Sequence, residues 1–194
     1  MALALPGLIT DIQAAFAQPL WASCATTFAG GISKYILTAE LDTVITATVT
    51  PPPPAAPYPV TDIGGGLLTP TGDAALLAAC QAAFIVPLWA SVAPLLSPAI
   101  VTYVTTSVVT STCAPVVGSA VLQGTGTGVI APTGAPLLLT SLTTAFTTGL
   151  LWAQVATDIA NAIDIFVKTC VVTTTDAGIV PPASWVGTGV GTIV

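Results

Sequence analysis

The segments Gln13–Phe16 (QAAF) and Pro19–Ser23 (PLWAS) return farther along the chain as Gln81–Phe84 and Pro87–Ser91. Both matches have the same offset of 68 residues, and no gap separates them. Self-similarity at a fixed period of this size is typical of a supersecondary unit that buries its apolar face against neighbouring units. The repeat therefore predicts the architecture before any single residue does.

A weaker third copy follows at an offset of about 63 residues from the second. In it, Ala145-Phe146 takes the place of Ala83-Phe84, and Trp152 takes the place of Trp89. Ile163 and Phe166 continue the match. We predict three tandem units, residues 1–68, 69–131 and 132–194.

Each unit opens with apolar residues spaced three and four apart, which predicts an amphipathic helix. The stripe residues are Leu8, Ile12, Phe16 and Leu20 in the first unit, Leu76, Leu77, Cys80, Phe84, Pro87 and Leu88 in the second, and Leu138, Leu142, Phe146 and Leu150 in the third. A second helix is predicted after a break at Gly30-Gly31 in the first unit and at Pro94 and Pro98 in the second. The third unit has no such break, which predicts one longer helix to about Lys168.

The helical period then gives way to β-branched runs at Val44–Thr50, Val104–Thr110 and Val171–Thr175. Because each run mixes Val with Thr, it predicts a half-buried strand. Pro51–Pro54 ends the first run, and a tetraproline favours an extended polyproline spacer. Pro181-Pro182 follows the third run in the same way.

Gly-Thr segments close the second and third units, at Gly124–Ile130 and Gly187–Ile193. Alternating glycine leaves one face of a strand without side chains, so another backbone can approach it closely. We expect these glycines to form interaction strands; they are Gly124, Gly126, Gly128, Gly187, Gly189 and Gly191. The fold class predicted is α+β, with three tandem helix-helix-strand repeats, Gly/Thr-rich strands and Pro-rich loops, packed as one unit or as a short array.

The charge pattern excludes several function classes. Charged residues make up 5% of the chain, there is no Arg or His, and Lys34 and Lys168 are the only cations. Nothing here would neutralise a run of phosphates, so no nucleic-acid partner is expected. Attraction to anionic lipid is disfavoured for the same reason. The amino terminus has no positive region before its apolar residues, so we expect no signal peptide.

Catalytic and metal-binding patterns are absent from the sequence. Without His there is no ordinary general base, and the eight acids are spread thinly, so no catalytic residue, no cofactor and no metal ligand is predicted. Cys24, Cys80, Cys113 and Cys170 are widely scattered. They are interpreted as buried small side chains, and a disulfide within or between chains stays the alternative.

Two aromatic positions recur in register, and they are the strongest candidates for a special role. They are Phe16, Phe84 and Phe146, and Trp21, Trp89 and Trp152. We interpret them as core plugs packed between helix and sheet, because repeated aromatics dominate core burial. A ligand-stacking shelf is the alternative. Trp185 lies outside this pattern, and we expect it to be an exposed contact.

The third unit resembles a known group of proteins. Asn161–Lys168 (NAIDIFVK), Val171–Thr175 (VVTTT) and Gly187–Thr192 (GTGVGT) are similar to small Thr- and Gly-rich virion proteins of tailed bacteriophages. The resemblance is best over residues 159–194 and partial in the first two units. It implies a non-enzymatic component of a particle.

The composition favours the same reading on physical grounds. A chain with so few charges is poorly protected against association, which favours a surface covered by other subunits. We therefore predict a structural subunit of a large assembly, a bacteriophage virion accessory protein of capsid or tail. It would act by subunit packing and strand pairing, with other particle subunits or its own copies as partners. The alternatives are a membrane-embedded or membrane-associated protein and an extracellular surface protein.

Overall fold

The fold is α+β, as predicted. A computed structural model describes residues 3–113, 116–117, 120–121, 124–148, 151–180 and 183–194. Helices and strands alternate in pairs along the chain, so that each pair of helices is followed by strands of one sheet.

Within the described residues, six α-helices form one layer. They are α1 (Leu5–Phe16), α2 (Trp21–Leu37), α3 (Asp73–Phe84), α4 (Val92–Thr105), α5 (Ala135–Thr148) and α6 (Trp152–Thr169), with a 3₁₀ turn at Trp89–Ser91 before α4. Each helix packs against the next one in the chain, and α6 returns to α1. The six helices therefore form a closed ring, whose interior holds the predicted stripe residues such as Leu8, Leu76 and Leu138.

Six strands of the described part of the chain form the second layer. They are β1 (Glu40–Thr50), β2 (Tyr58–Thr69), β3 (Val108–Cys113), β6 (Gly124–Ala131), β7 (Val171–Val180) and β8 (Ala183–Ile193). Every pairing is antiparallel, and β8 pairs with β1, which closes the sheet into a barrel. A small two-stranded sheet, β4 (Val116–Val117) with β5 (Ala120–Val121), lies between β3 and β6 in the chain.

The barrel meets the helical ring through one layer of apolar side chains. Each barrel strand contributes one buried residue to the helical core: Leu41, Leu68, Val109, Ile130, Val172 and Ile193. Because successive side chains of a strand point to opposite faces, the residues next to these buried ones point outward. In β1 this gives strict alternation of buried and exposed residues from Leu41 to Thr50. One continuous core thus joins ring and barrel.

Polar contacts across the ring fix the ends of helices nearest the barrel. The Tyr35 hydroxyl of α2 donates to Asp164 of α6 at 2.5 Å, and Lys168 pairs with the same carboxylate at 2.9 Å. The pair Asp164 and Lys168 has the acid four residues before the base, the favourable order on a helix. Asp73 begins α3, but its carboxylate accepts a hydrogen bond from the Tyr103 hydroxyl at 2.6 Å instead of capping the helix.

The helix breaks lie elsewhere than predicted. α2 runs through Gly30-Gly31 and α4 includes Pro98, while the first helices end at Phe16 and Phe84. The break comes just before Pro19 and Pro87, because proline disfavours the helical conformation of the residue before it. In the predicted third unit α5 ends at Thr148 and α6 begins at Trp152, so the predicted single long helix is wrong.

Two strand predictions also need correction. Residues 104–105 belong to α4, where Val104 is buried, so the second strand begins only at Val108. Burial in the helical core overrides the β preference of Val and Thr. Pro51–Pro54 lies in the turn between β1 and β2, whose register continues from Val49 opposite Tyr58. It is therefore part of a hairpin and not an extended spacer; Pro181-Pro182 lies outside the described residues.

Candidate interaction surface

The repeated aromatic residues come together in one cluster. Each lies beside a turn that joins the two helices of a pair, at the end of the ring remote from the barrel. The prediction placed them between helix and sheet; they lie at the opposite end, because helices of 12 to 18 residues separate these turns from the strands. Their interpretation as core plugs stays a prediction.

Ring contacts link the cluster into one body. Trp89 lies 5.4 Å from Trp21, 4.8 Å from Trp152 and 5.9 Å from Phe146, measured between ring centroids. Phe16 lies 6.1 Å from Phe84 and 5.3 Å from Trp152. Most of these pairs are edge-to-face or tilted, the arrangements that aromatic quadrupoles favour. The cluster therefore holds the three turns together.

The outer side of the cluster is exposed. Trp21 and Trp152 are each 48% exposed, whereas Phe84 and Phe146 are buried and Phe16 and Trp89 are half-buried. Around the Trp side chains stand exposed Leu20, Ile85, Leu88 and Leu151. Leu20 and Leu88 were predicted on the buried helical stripe, but the helices end before them; Leu150 lies outside the described residues. We call Leu20, Trp21, Ile85, Leu88, Leu151 and Trp152 the apolar end.

No charge lies at the apolar end. The acid nearest to it along α6 is Asp158, about 9 Å from Trp152 at 1.5 Å per residue. Lys34 pairs with Asp11 at 3.4 Å, and Lys168 pairs with Asp164; both lysines lie in the last turns of α2 and α6, toward the barrel. A partner of the apolar end therefore meets apolar and neutral surface only.

The barrel wall carries a thinner set of exposed apolar side chains. Val44 lies opposite Ile63 on one side and Val190 on the other, and Val129 continues the row beyond Thr173. All four are more than half exposed. Threonine occupies most neighbouring outward positions, such as Thr46 and Thr188. This row is one residue wide, and exposed Leu67, Val108, Ile179 and Val186 lie elsewhere on the barrel strands.

The predicted interaction glycines turn their bare faces into the barrel. A Cβ added at Gly126 would lie 2.5 Å from Asp176 Oδ1 and 2.7 Å from Ser111 Oγ, and one at Gly187 would lie 2.7 Å from Ala47 Cβ. The bare face therefore accommodates the barrel's own side chains and backbone. Their threonine partners, such as Thr125 and Thr127, point outward. A role of these strands in contacts with other subunits stays a prediction and would use the threonine face.

A buried polar group fills the middle of the barrel. The Asp176 carboxylate is fully buried and accepts hydrogen bonds from the Ser111 hydroxyl and, at 2.6 Å, from the Thr174 hydroxyl. Thr43 donates to the Gly64 carbonyl at 3.2 Å. Beyond this polar group the barrel is filled by Trp185, which is 2% exposed. The expectation that Trp185 is an exposed contact was wrong, because the ring occupies the space left by Gly124.

The four cysteines are buried free thiols, as the first interpretation predicted. Burial raises the pKa of the Cys24 and Cys170 thiols to about 11 and that of Cys80 to about 12. Burial, with the carboxylates of Asp176 and Asp62, raises the pKa of Cys113 to about 11. A thiol in this state is a poor nucleophile at neutral pH.

The cavities in the described part of the chain are open to solvent and are lined mainly by apolar and neutral residues. One of them, about 580 Å³ in volume, is lined by Ile63, Thr112, Cys113 and the neighbouring glycines Gly124 and Gly178. Among the residues that the structure describes, no group of three or more His, Cys, Asp or Glu side chains is placed to hold a metal ion. None of the described helices combines the length and hydropathy needed to cross a membrane.

Comparisons with protein families, with curated proteins and with solved structures found no match to this chain. The geometry therefore carries the functional argument. Sequence reasoning identified the aromatic positions but missed the exposed leucines beside them. The Pro-Leu-Trp sequence could have predicted their exposure. A proline there ends the helix, so the next residue no longer lies on the apolar helical stripe.

Proposed function

We propose that the protein is a non-enzymatic structural subunit of a large assembly and that it makes its main contact through the apolar end. The observation that carries the proposal is the exposure of six large apolar side chains on three neighbouring turns without any charge among them. Monomeric soluble proteins rarely expose contiguous apolar patches larger than a few hundred Å², and larger ones mark interaction sites. Aromatic residues, with Lys and Glu depleted, are typical of the core of a protein interface.

The proposal includes three tandem units. Positions related by offsets of 68 and then 62 or 63 residues are buried in all three predicted units. They include Leu8, Leu76 and Leu138; Ala15, Ala83 and Ala145; Cys24, Val92 and Val155; Ile32, Ile100 and Ile163; and Leu41, Val109 and Val172. Recurrence of burial at the same offsets supports a ring with approximate threefold symmetry, in preference to a linear array, because α6 packs on α1.

Subunit packing is a better-supported mode of action than strand pairing. Strand addition needs a free sheet edge with unpaired N–H and C=O groups. The described barrel closes through β8 and β1, and each barrel strand has a hydrogen-bonded neighbour on both sides over part of its length, although β3 pairs only with Gly65–Thr69 of β2. The helical turns instead present rigid side chains, because the aromatic cluster behind them is packed.

A bacteriophage virion is the assembly that the resemblance favours. The Asn161–Lys168 segment now lies in α6, and the Val171–Thr175 and Gly187–Thr192 segments form the β7–β8 hairpin. Capsid and tail are equally compatible with this geometry. The low charge suits a subunit that associates with others.

Fractionation of cells or lysates that make the chain tests the proposal. The expected result is that an antibody against the chain detects it in dense particles that survive nuclease and mild detergent. Leu88→Asp is expected to release the chain from the particles, whereas Val129→Asp on the barrel wall leaves it bound. Recovery only as a low-mass species, or only in membranes that detergent dissolves, would overturn the proposal.

A further inference from the structure

The strongest unexplained feature beyond the barrel interior is what covers the apolar end. The apolar end is contiguous with the aromatic cluster, faces away from the barrel and contains no group that would recognise a charged or strongly polar ligand. Three classes of occupant are possible in principle: a lipid surface, a different protein, or another copy of this chain. The charges and the size of the end face discriminate among them.

A lipid surface fits poorly. Peripheral binding to membranes combines an apolar face with Lys or Arg that meet anionic headgroups. The two cations of this chain, Lys34 and Lys168, are paired with acids and lie toward the barrel. The formal net charge of the chain is −6. Long-range repulsion from anionic lipid would therefore act against the burial of the apolar side chains.

The size of the end face fits a protein interface. Six helices in a ring, with neighbouring axes about 10 Å apart, present an end about 30 Å across and thus on the order of 700 Å². A stable specific interface buries roughly 800 Å² on each partner. The whole end, and not one turn, is therefore needed to form a stable contact, which requires a partner with a flat apolar face of equal size.

We infer that the partner is a second copy of this chain, docked end to end through the apolar end. A twofold contact uses the same patch on both copies, so each uncharged end meets a face of matching size and polarity. Because the ring has approximate threefold symmetry, such a twofold axis can lie in the plane of the contact in several equivalent orientations. The barrels then point outward at the two poles of the dimer. This inference rests on the proposed function, because it names the partner of the same surface.

The dimer buries the exposed leucines and isoleucine that lie beside the Trp side chains. Leu20, Leu88 and Leu151 are each about two-thirds exposed in the single chain, and Ile85 is 74% exposed. Their side chains protrude without contributing to the core of the ring, so a substitution there weakens the contact and leaves folding intact. The aromatic cluster behind them supplies a rigid base, which lowers the entropy cost of docking.

Sedimentation equilibrium over a concentration series tests the inference on the full chain. We expect wild type to show twice the chain mass, and Leu88→Asp to raise the dimer dissociation constant by about 100-fold or more, because the carboxylate would be buried against an apolar face. Val129→Asp, a matched substitution on the barrel wall, is expected to leave the dimer intact. Circular dichroism establishes that each variant is folded.

Three results would overturn the inference. One is a wild-type chain that stays monomeric at high concentration. Another is a dimer that Val129→Asp disrupts and Leu88→Asp does not, which would place the contact on the barrel wall. A third is binding of the wild-type monomer to neutral phosphatidylcholine vesicles that Leu88→Asp abolishes. If the chain is a monomer that still enters particles through Leu88, only the second-copy partner is contradicted. If the chain is a dimer that is found outside any particle, the proposed assembly is contradicted and this inference stands.

Discussion

The two poles of the molecule, the barrel and the helical turns, differ in the size of the side chains that line their interiors. At the barrel pole the interior is narrow, and glycines such as Gly126 and Gly189 make room for Asp176, Thr174 and Ile45. At the helical pole the interior is wide, and Phe and Trp rings fill it. The barrel interior pairs the Asp176 carboxylate with the Ser111 and Thr174 hydroxyls, whereas the helical turns leave large apolar side chains in solvent. The difference teaches that glycine marks the pole whose interior is tightly packed and that leucine beside tryptophan marks the pole through which we propose that the chain associates.

The largest expected effect comes from enlarging a glycine of the barrel. Gly126→Ala places a Cβ against Asp176, Ser111 and the Thr175 carbonyl, and most of these atoms cannot move without distorting the barrel. We expect a loss of about 3 kcal/mol or more in the free energy of unfolding, measured by urea denaturation. The matched control is Gly30→Ala in α2, where a Cβ meets no atom within 4 Å. This control is expected to stabilise the protein by about 0.5–1 kcal/mol, since alanine is the better helix former. Equal effects of the two substitutions would refute the narrow-barrel account.

A slightly smaller effect is expected at the polar group inside the barrel. Asp176→Ala leaves the buried Ser111 and Thr174 hydroxyls without their acceptor and opens a small void. The expected loss is about 2–3 kcal/mol in the free energy of unfolding. Asp176→Asn keeps one acceptor oxygen and the shape of the side chain, so it should lose less than half as much.

Asp42 supplies the control for this prediction. Asp42 is exposed on β1, and Asp42→Ala should change the free energy of unfolding by no more than about 0.5 kcal/mol. Thermal unfolding of the three variants, followed by circular dichroism, checks the order. If Asp176→Ala unfolds at the wild-type temperature, the buried hydrogen bonds do not hold the barrel together.

The smallest expected effect on stability comes from the apolar end. Leu88→Asp should change the free energy of unfolding of the single chain by no more than about 0.5 kcal/mol, because Leu88 is largely exposed. Leu96→Ala in the buried part of the following helix is expected to cost about 2–5 kcal/mol. Denaturation at protein concentrations too low for association provides the comparison. A large loss for Leu88→Asp under those conditions would make this leucine part of the core.

The local elements were predictable, and the closure was not. The stripe from Leu8 through Ile12 and its counterparts predicted amphipathic helices, because residues three and four apart share a helical face. The Val-Thr runs predicted half-buried strands at β1 and β7. Closure of the barrel depends on pairing β1 with β8, more than a hundred residues apart in the chain, and no local pattern encodes such a contact.

The candidate surface was predictable in its residues and not in its position. Trp21 and Trp89 stood out because they recur in register, but recurrence does not distinguish a core residue from an interface residue. The helix end at Phe16 and Phe84 decides which side chains are exposed. Val104 shows the same dependence in the other direction, since tertiary burial places a β-branched residue in a helix. Glycine alternation likewise predicted close backbone approach but not that the approach is internal.

The most direct test of the central claim is hydroxyl-radical footprinting of the free and the assembled chain, read residue by residue by mass spectrometry. The account predicts protection on assembly at Leu20, Trp21, Ile85, Leu88 and Trp152, with unchanged reactivity at Val129 and Val190 on the barrel wall. Protection of the barrel wall with unchanged reactivity at the helical turns would contradict it.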